Sequence, residues 1–356
     1  MRETARAARE MPDSRKTIRN EPAASTAGGL GAASSHLITS DSNPRATGLA
    51  QRRITVQRFI MSLFSLLDPW EPSPALVAVF LAAALLYARG ARRISVTLAR
   101  RAAFWSGLAL FYIALHTRLD YYAEHQFFVH RLQHLVLHHL APLIVMAGYP
   151  GGVLRAGLPL RWRMSLRRWQ RGTAARMAAA VLLNPTFISL AFVISVVFWL
   201  IPSIQFVAML DWRMYTFMNW SVAASGLLYW WMLLDHRPAP PSRTRPGLRV
   251  LSPVITMTPQ ILVGAIITFS SRDLYPVFTL CGRAFTSIPP VLDQSLGGLI
   301  MWVPAAVLEA IGAMMALRHL MRLSARAPRG EQQRPAVAAR PTGAAVQEPR
   351  LPIRAR

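Results

Sequence analysis

Cysteine is nearly missing from this chain. Cys281 stands alone, which rules out an intrachain disulfide and the CxxC and CxC metal motifs. Lysine is equally scarce: Lys16 is the single one, so a net charge of +24 is carried almost wholly by arginine. Charged residues of both signs make up only 16%, against roughly 25% in an average soluble domain. Catalytic signatures are lacking too. No GxSxG, HExxH or P-loop occurs, so no hydrolytic or nucleophilic constellation argues for an enzyme.

Apolar residues fill the space, at 53% of the chain. They gather in runs long enough to cross a hydrocarbon layer about 30 Å thick. Backbone polar groups cannot go unpaired in lipid, so such runs cross as helices. The pattern predicts an all-α, polytopic membrane bundle of seven transmembrane helices over 73–89, 99–117, 126–147, 185–207, 214–235, 250–270 and 294–318. The arginines lie between the runs and mark topology, not a nucleic-acid surface. The link between helices three and four holds Arg155, Arg161, Arg163, Arg167, Arg168, Arg171 and Arg176 and no acid. Basic links alternate with neutral ones, which predicts the N-terminus outside and the C-terminus cytoplasmic. Within the third link, 160–183 interleaves Trp162, Met164, Leu166 and Trp169 with arginine, as suits a helix lying on anionic membrane lipid.

Three segments follow. Residues 1–60 are polar and basic, lack an apolar span, and read as a disordered extension. Their charge conflicts with an outside N-terminus, and a start at Met61 removes the conflict. Residues 61–323 form the seven-helix domain, and 324–356 read as a disordered cytoplasmic tail.

Five of the nine histidines fall within "EHQFFVHRLQHLVLHHLAPLIVMAGYP", 124–150. His130 and His134 are one helical turn apart, about 40° around the axis, and can chelate one ion from a single helix. His138 continues the row, and His139 points to roughly the opposite side from His130. Nearby segment ends add His116, His125, Asp120 and Glu124. Intramembrane imidazoles are costly and imply function, although polar side chains also bond neighbouring helices. Imidazole suits copper, zinc and iron, while methionines such as Met301 favour Cu(I). Haem b held between two facing histidines is the competing cofactor. Asp293 at the start of the seventh helix suits its dipole. Glu309, in mid-run, is expected to be protonated, hydrogen-bonded or in a polar cavity. Arg131 is expected to snorkel outward, Gly297 and Gly298 to let helices approach, and Pro202 and Pro259 to kink their helices.

At "HRLQHLVLHHLAPLIVMAGYP" the sequence resembles the CtaG-type cytochrome c oxidase assembly factors, with their H-x-x-Q-H…AP…G-x-P pattern at His130, Gln133, His134, Ala141, Pro142, Gly148 and Pro150. The likeness continues through "YWWMLLD" and "MTPQILVGAIITFSSRDLYPVF". It ends in a D-Q-x-x-G-G-x-x-M-W-x-P pattern at Asp293, Gln294, Gly297, Gly298, Met301, Trp302 and Pro304. The resemblance implies a bacterial inner-membrane protein that helps build haem–copper oxidase, at a copper-delivery step, with oxidase subunits or other assembly factors as partners. A copper transporter is the remaining alternative. One departure bears on the metal. The family's W-H-x-P and H-x-x-x-H places here hold Leu200, Tyr215 and Asn219. A metal site must then be completed by His116, His125, His138 or Asp293, or be weakened or lost.

Overall fold

The computed structural model describes residues 68–69, 73–238, 242 and 244–326. The expectations for 1–60 and for nearly all of 324–356 lie outside these residues, as does Met61. Among the described residues the structure is helical, apart from one isolated bridge between Pro69 and Thr117.

The first long helix, α1 (Pro74–Ala91), starts at Ser73, whose hydroxyl accepts the Leu76 N–H at 3.4 Å. After it come α2 (Leu98–His116) and the short α3 (Arg118–His125). The histidine-rich segment is α4 (Phe127–Leu135), a π-helical turn (Val136–Leu140) and α5 (Ala141–Ala147). Next are α6 (Pro150–Gly157), α7 (Leu160–Arg171), α8 (Thr173–Leu182) and α9 (Pro185–Trp199). The remainder is α10 (Pro202–Leu210), α11 (Trp212–Leu233), α12 (Pro246–Phe269), α13 (Val277–Leu280) and α14 (Pro290–Arg326).

Four helices, α1, α2, α12 and α14, are long and apolar enough to cross a membrane. Two further pairs pass the same test together: α4–α5 with α6, bent by 74°, and α8 with α9, bent by 61°. That makes six. Helix α11 has the length, at 22 residues, but not the hydropathy. Its burial explains why: Tyr215, Met218, Asn219, Val222, Ser225, Gly226, Tyr229 and Trp230 are all covered by protein. The face turned to the protein can carry Asn219, Ser225 and the tyrosines, while Trp212, Phe217, Trp220 and Trp231 lie on the exposed side.

The 185–207 span is corrected. Helix α9 stops at Trp199, and Pro202 opens a new helix at its first turn, where its missing N–H costs nothing. Helix α7 has no buried residue, and Trp162 and Trp169 are 68% and 65% exposed.

The α4–π–α5 run is the axis of the bundle. Helix α14 packs along α4, α2 along α5, and α11 across the π turn, while α12 and α14 form the most extensive pair. Pro142 accounts for the π turn. Proline has no N–H to give the carbonyl four residues earlier, which belongs to His138. The Trp230 indole supplies that hydrogen bond instead, at 3.1 Å. Gly226 makes room for it, since a Cβ there would meet the same His138 carbonyl.

A second close crossing joins α1 to α6. A Cβ on Gly157 would overlap the Leu86 carbonyl, and one on Gly90 would overlap that of Val153. Overpacking of this kind costs about 1–3 kcal/mol. Gly157→Ala is therefore expected to lower the unfolding midpoint of purified protein clearly, whereas Gly151→Ala, into open space, leaves it unchanged. Equal midpoints for the two variants would refute the crossing.

Candidate functional site

His130 and His134 lie on one face of α4, with ring centroids 4.4 Å apart. They are 0% and 6% exposed, and none of their four ring nitrogens makes a well-formed hydrogen bond, although the Asn219 side chain lies close to His134. Buried imidazole is normally hydrogen-bonded, so four such nitrogens at one place need a reason. Helix α11 closes the pair from the side: the Tyr215 ring stands 6.1 Å from that of His130. Asn219, one turn further along α11, is 3% exposed and its Oδ1 also lacks a partner. Phe278 of α13 covers His130 from another side at 6.0 Å.

Around the pair the structure is firmly held. Gln133 donates to the Ala114 carbonyl at 2.8 Å and to Asp120 Oδ1 at 2.6 Å. The Tyr215 hydroxyl donates to the same Asp120 oxygen at 2.7 Å. Gln133 thus ties α4 to α2, α3 and α11 and fixes the rotation of the helix that carries the histidines.

Asp293 acts at a distance from its own helix. Its carboxylate accepts the Phe127 and Phe128 N–H groups at 3.1 and 2.8 Å, capping the start of α4. It also pairs with Arg283, and its side chain is 1% exposed. Asp293 lies in the first turn of α14, where its charge suits that helix's dipole as expected, and it also caps α4 across the bundle. Gln294 beside it accepts the Leu274 N–H at 2.7 Å and donates to the Arg272 carbonyl at 3.0 Å, anchoring the α12–α13 link. Gly297 and Gly298 do allow close packing. A Cβ on the first would strike Phe127, and one on the second Thr268. Trp302 donates to Thr268 Oγ1 at 3.3 Å, and Met301 is 7% exposed.

The five histidines named from sequence do not form one cluster. Among the described residues no group of three or more His, Cys, Asp or Glu side chains is placed to hold a metal ion. His116 packs its ring on Tyr112 at 5.1 Å. His125 binds the Tyr121 carbonyl through Nδ1 at 2.8 Å and stacks on the Tyr121 ring, at the end of α3. Glu124, next to it, is half-buried. The π turn moves His138 and His139 into a separate network. His138 stacks on Phe192 at 3.8 Å and reaches Ser195 Oγ through Nε2 at 3.3 Å. His139 meets His138 Nδ1 to Nδ1 at 3.3 Å and Glu309 through Nε2 at 3.3 Å.

Glu309 is fully buried and accepts from Thr256 at 2.6 Å and from Gln260 at 2.7 Å. Thr256 also shares a hydrogen bond with the Tyr229 hydroxyl at 3.0 Å. These partners were not singled out from sequence. A signal existed: Ser252, Thr256 and Gln260 recur every four residues along an apolar helix, one polar row facing α14. Between the two histidine groups lies a cavity of about 20 Å³, lined among others by Arg131, His134, His138, Gln260 and Met301.

Arg131 corrects an expectation. It does not reach outward but is 2% exposed, its guanidinium 5.2 Å from the Phe127 ring, with Nε and Nη2 lacking partners. Helix α14 shuts it in, since a Cβ on Gly297 would sit 3.2 Å from Arg131 Cγ.

The order of these parts along the chain can now be compared with known families. The chain matches the model of the cytochrome c oxidase caa3 assembly factor family (Caa3_CtaG) over residues 78–323. The chain belongs to this family. The matched stretch runs from the second turn of α1 to the last turns of α14, including the histidine pair and the Asp293 cap. No curated protein and no solved structure matches the chain. This Caa3_CtaG chain therefore carries its family's assembly-factor role, and its apolar helices mark it as multi-pass in a membrane.

Proposed function

We propose that the protein serves cytochrome c oxidase assembly in a bacterial inner membrane by presenting copper, as cargo, from His130 and His134. The observation that carries this reading is that none of the four buried ring nitrogens makes a well-formed hydrogen bond, although Gln133, Asp120 and Tyr215 around the pair are firmly bonded. Two imidazoles suit copper, and Met301, lining the cavity that His134 enters, offers a thioether to Cu(I). Tyr215 and Asn219 stand where further imidazoles would complete a tighter site. A donor that must give its ion away is served by fewer ligands. His138 is engaged with Phe192, His139 and Ser195, and His116 and His125 lie against tyrosines, so none of them is assigned to the ion.

The topology belongs to the same proposal. With each bent pair counted as one span and α11 as a further one, the chain crosses seven times. Arginine-rich links on the inner side support a cytoplasmic C-terminus, with α4 starting near the outer surface. There the pair faces the side from which copper reaches the oxidase. Partners of this chemistry are oxidase subunits or other assembly factors.

The test combines copper analysis of purified protein with oxidase activity in cells. His130→Ala and His134→Ala are expected to lower bound copper and mature oxidase at least tenfold, on the order of one lost coordinate bond, while the protein remains in membranes. Normal maturation with either variant would overturn the assignment. A Soret band would favour haem b instead, and copper uptake by vesicles holding only this protein would favour transport. The cavity of about 20 Å³ beside the pair counts against haem, whose macrocycle needs far more room.

A further inference from the structure

Arg131 presents a problem of charge. It is 2% exposed within the bundle, and none of the ion pairs among the described residues includes it. The buried carboxylates nearby on α14 are occupied: Asp293 by Arg283, Glu309 by His139, Thr256 and Gln260. An arginine keeps its proton, and a lone buried cation is among the most expensive things a protein can hold. Contact with the Phe127 face relieves only part of this.

Its unpartnered Nε and Nη2 belong to a side chain that lines the 20 Å³ cavity. That volume accommodates one water-sized particle. Two other groups of the same wall make no well-formed hydrogen bond: the ring nitrogens of His134, beside Asn219, and Oε1 of Gln260. A water could accept from Arg131 and donate to Gln260 Oε1. It would satisfy hydrogen bonds and leave the charge standing. A monoatomic anion accepts from the Arg131 edge and from one His134 N–H, and it cancels the charge as well.

We propose that this cavity is a binding site for a single small anion of the halide class, held by the Nε and Nη2 edge of Arg131 with His134 as a further donor. The proposal goes beyond copper delivery and does not depend on it, because Arg131 needs its counter-charge whether or not a metal is present. Where copper does bind His134, the same anion lies within reach of both cations and makes their proximity tolerable.

The experiment uses full-length, metal-free protein in detergent, with sodium bromide and sodium gluconate at matched ionic strength. Bromide is expected to raise the unfolding midpoint saturably, and close to one bromide per chain should remain after desalting, read by X-ray fluorescence. Arg131→Met removes both effects. Arg131→Lys keeps the charge but loses the two-pronged edge, weakening bromide roughly tenfold through one lost charge-assisted hydrogen bond. Equal stabilisation by gluconate, or no bromide retained by the wild type, would overturn the site, and the second result does so even if Arg131→Met fails to fold. Copper content is measured separately, so loss of copper with bromide retained counts only against the copper reading.

Discussion

Asp293→Ala should release α4 from the bundle and cost on the order of 3–5 kcal/mol, the loss seen when one partner of a buried ion pair is removed. The carboxylate satisfies two backbone N–H groups at the start of α4 and the Arg283 guanidinium, and no water can replace it at 1% exposure. The effect should reach the histidines, because α4 carries them and Gln133 sets its rotation only from the middle. Thermal unfolding in detergent measures the loss. Asp293→Asn keeps an acceptor for the Phe127 or Phe128 N–H but not the charge for Arg283, and it should fall between the wild type and the alanine variant. A wild-type midpoint for Asp293→Ala would mean that the cap contributes nothing.

The second large effect is expected at Glu309. Replacing it with leucine leaves His139 Nε2 without a partner and takes one bond each from Thr256 and Gln260, which keep the Ser252 and Thr256 carbonyls. An unsatisfied buried group costs about 1–3 kcal/mol and a lost bond about 0.5–1.5 kcal/mol. The combined loss should exceed that of any other single substitution on α14 apart from Asp293→Ala. Glu309→Gln retains one oxygen for Thr256 or Gln260 and should cost about 1 kcal/mol if the carboxyl is neutral, and clearly more if its charge is paired with His139. Unfolding midpoints of the two variants separate these cases. If leucine is tolerated as well as glutamine, the network is a by-product of packing and not a support for α14.

Long apolar runs were enough to place α1, α2, α4–α5 and α12 within about four residues, because in lipid the helix is the one solution for such a run. Helix α14, by contrast, continues eight residues past its apolar run into the basic stretch ending at Arg326. The break before Pro202 was harder to place, since proline kinks some membrane helices and ends others, and neighbouring packing decides. The π turn was invisible to a regular period. Pro142 announces that a carbonyl loses its partner, but nothing in the order of residues says that Trp230, 92 positions away, will replace it. The same holds for Asp293, whose place in the first turn of its own helix was legible but whose cap on the start of α4 was not. Depth misled the reading of Arg131: snorkelling assumes lipid beside the side chain, and here α14 stands there. Of the candidate site, the His130–His134 pair was legible because i and i+4 must share a face, and its isolation from the other histidines was not.

The π turn has one more effect. A strictly regular helix from Phe127 to Ala147 would set His130, His134 and His138 in one slowly drifting row, and any change to that row would be felt by all three. The surplus residue at Val136–Leu140 breaks the row, so His138 turns to Ser195 and His139 to Glu309 while His134 keeps its neighbour. Excising one residue there would twist everything beyond it by about 100°. The two imidazole pairs are thus phased independently, like two cams cut at different angles on one shaft.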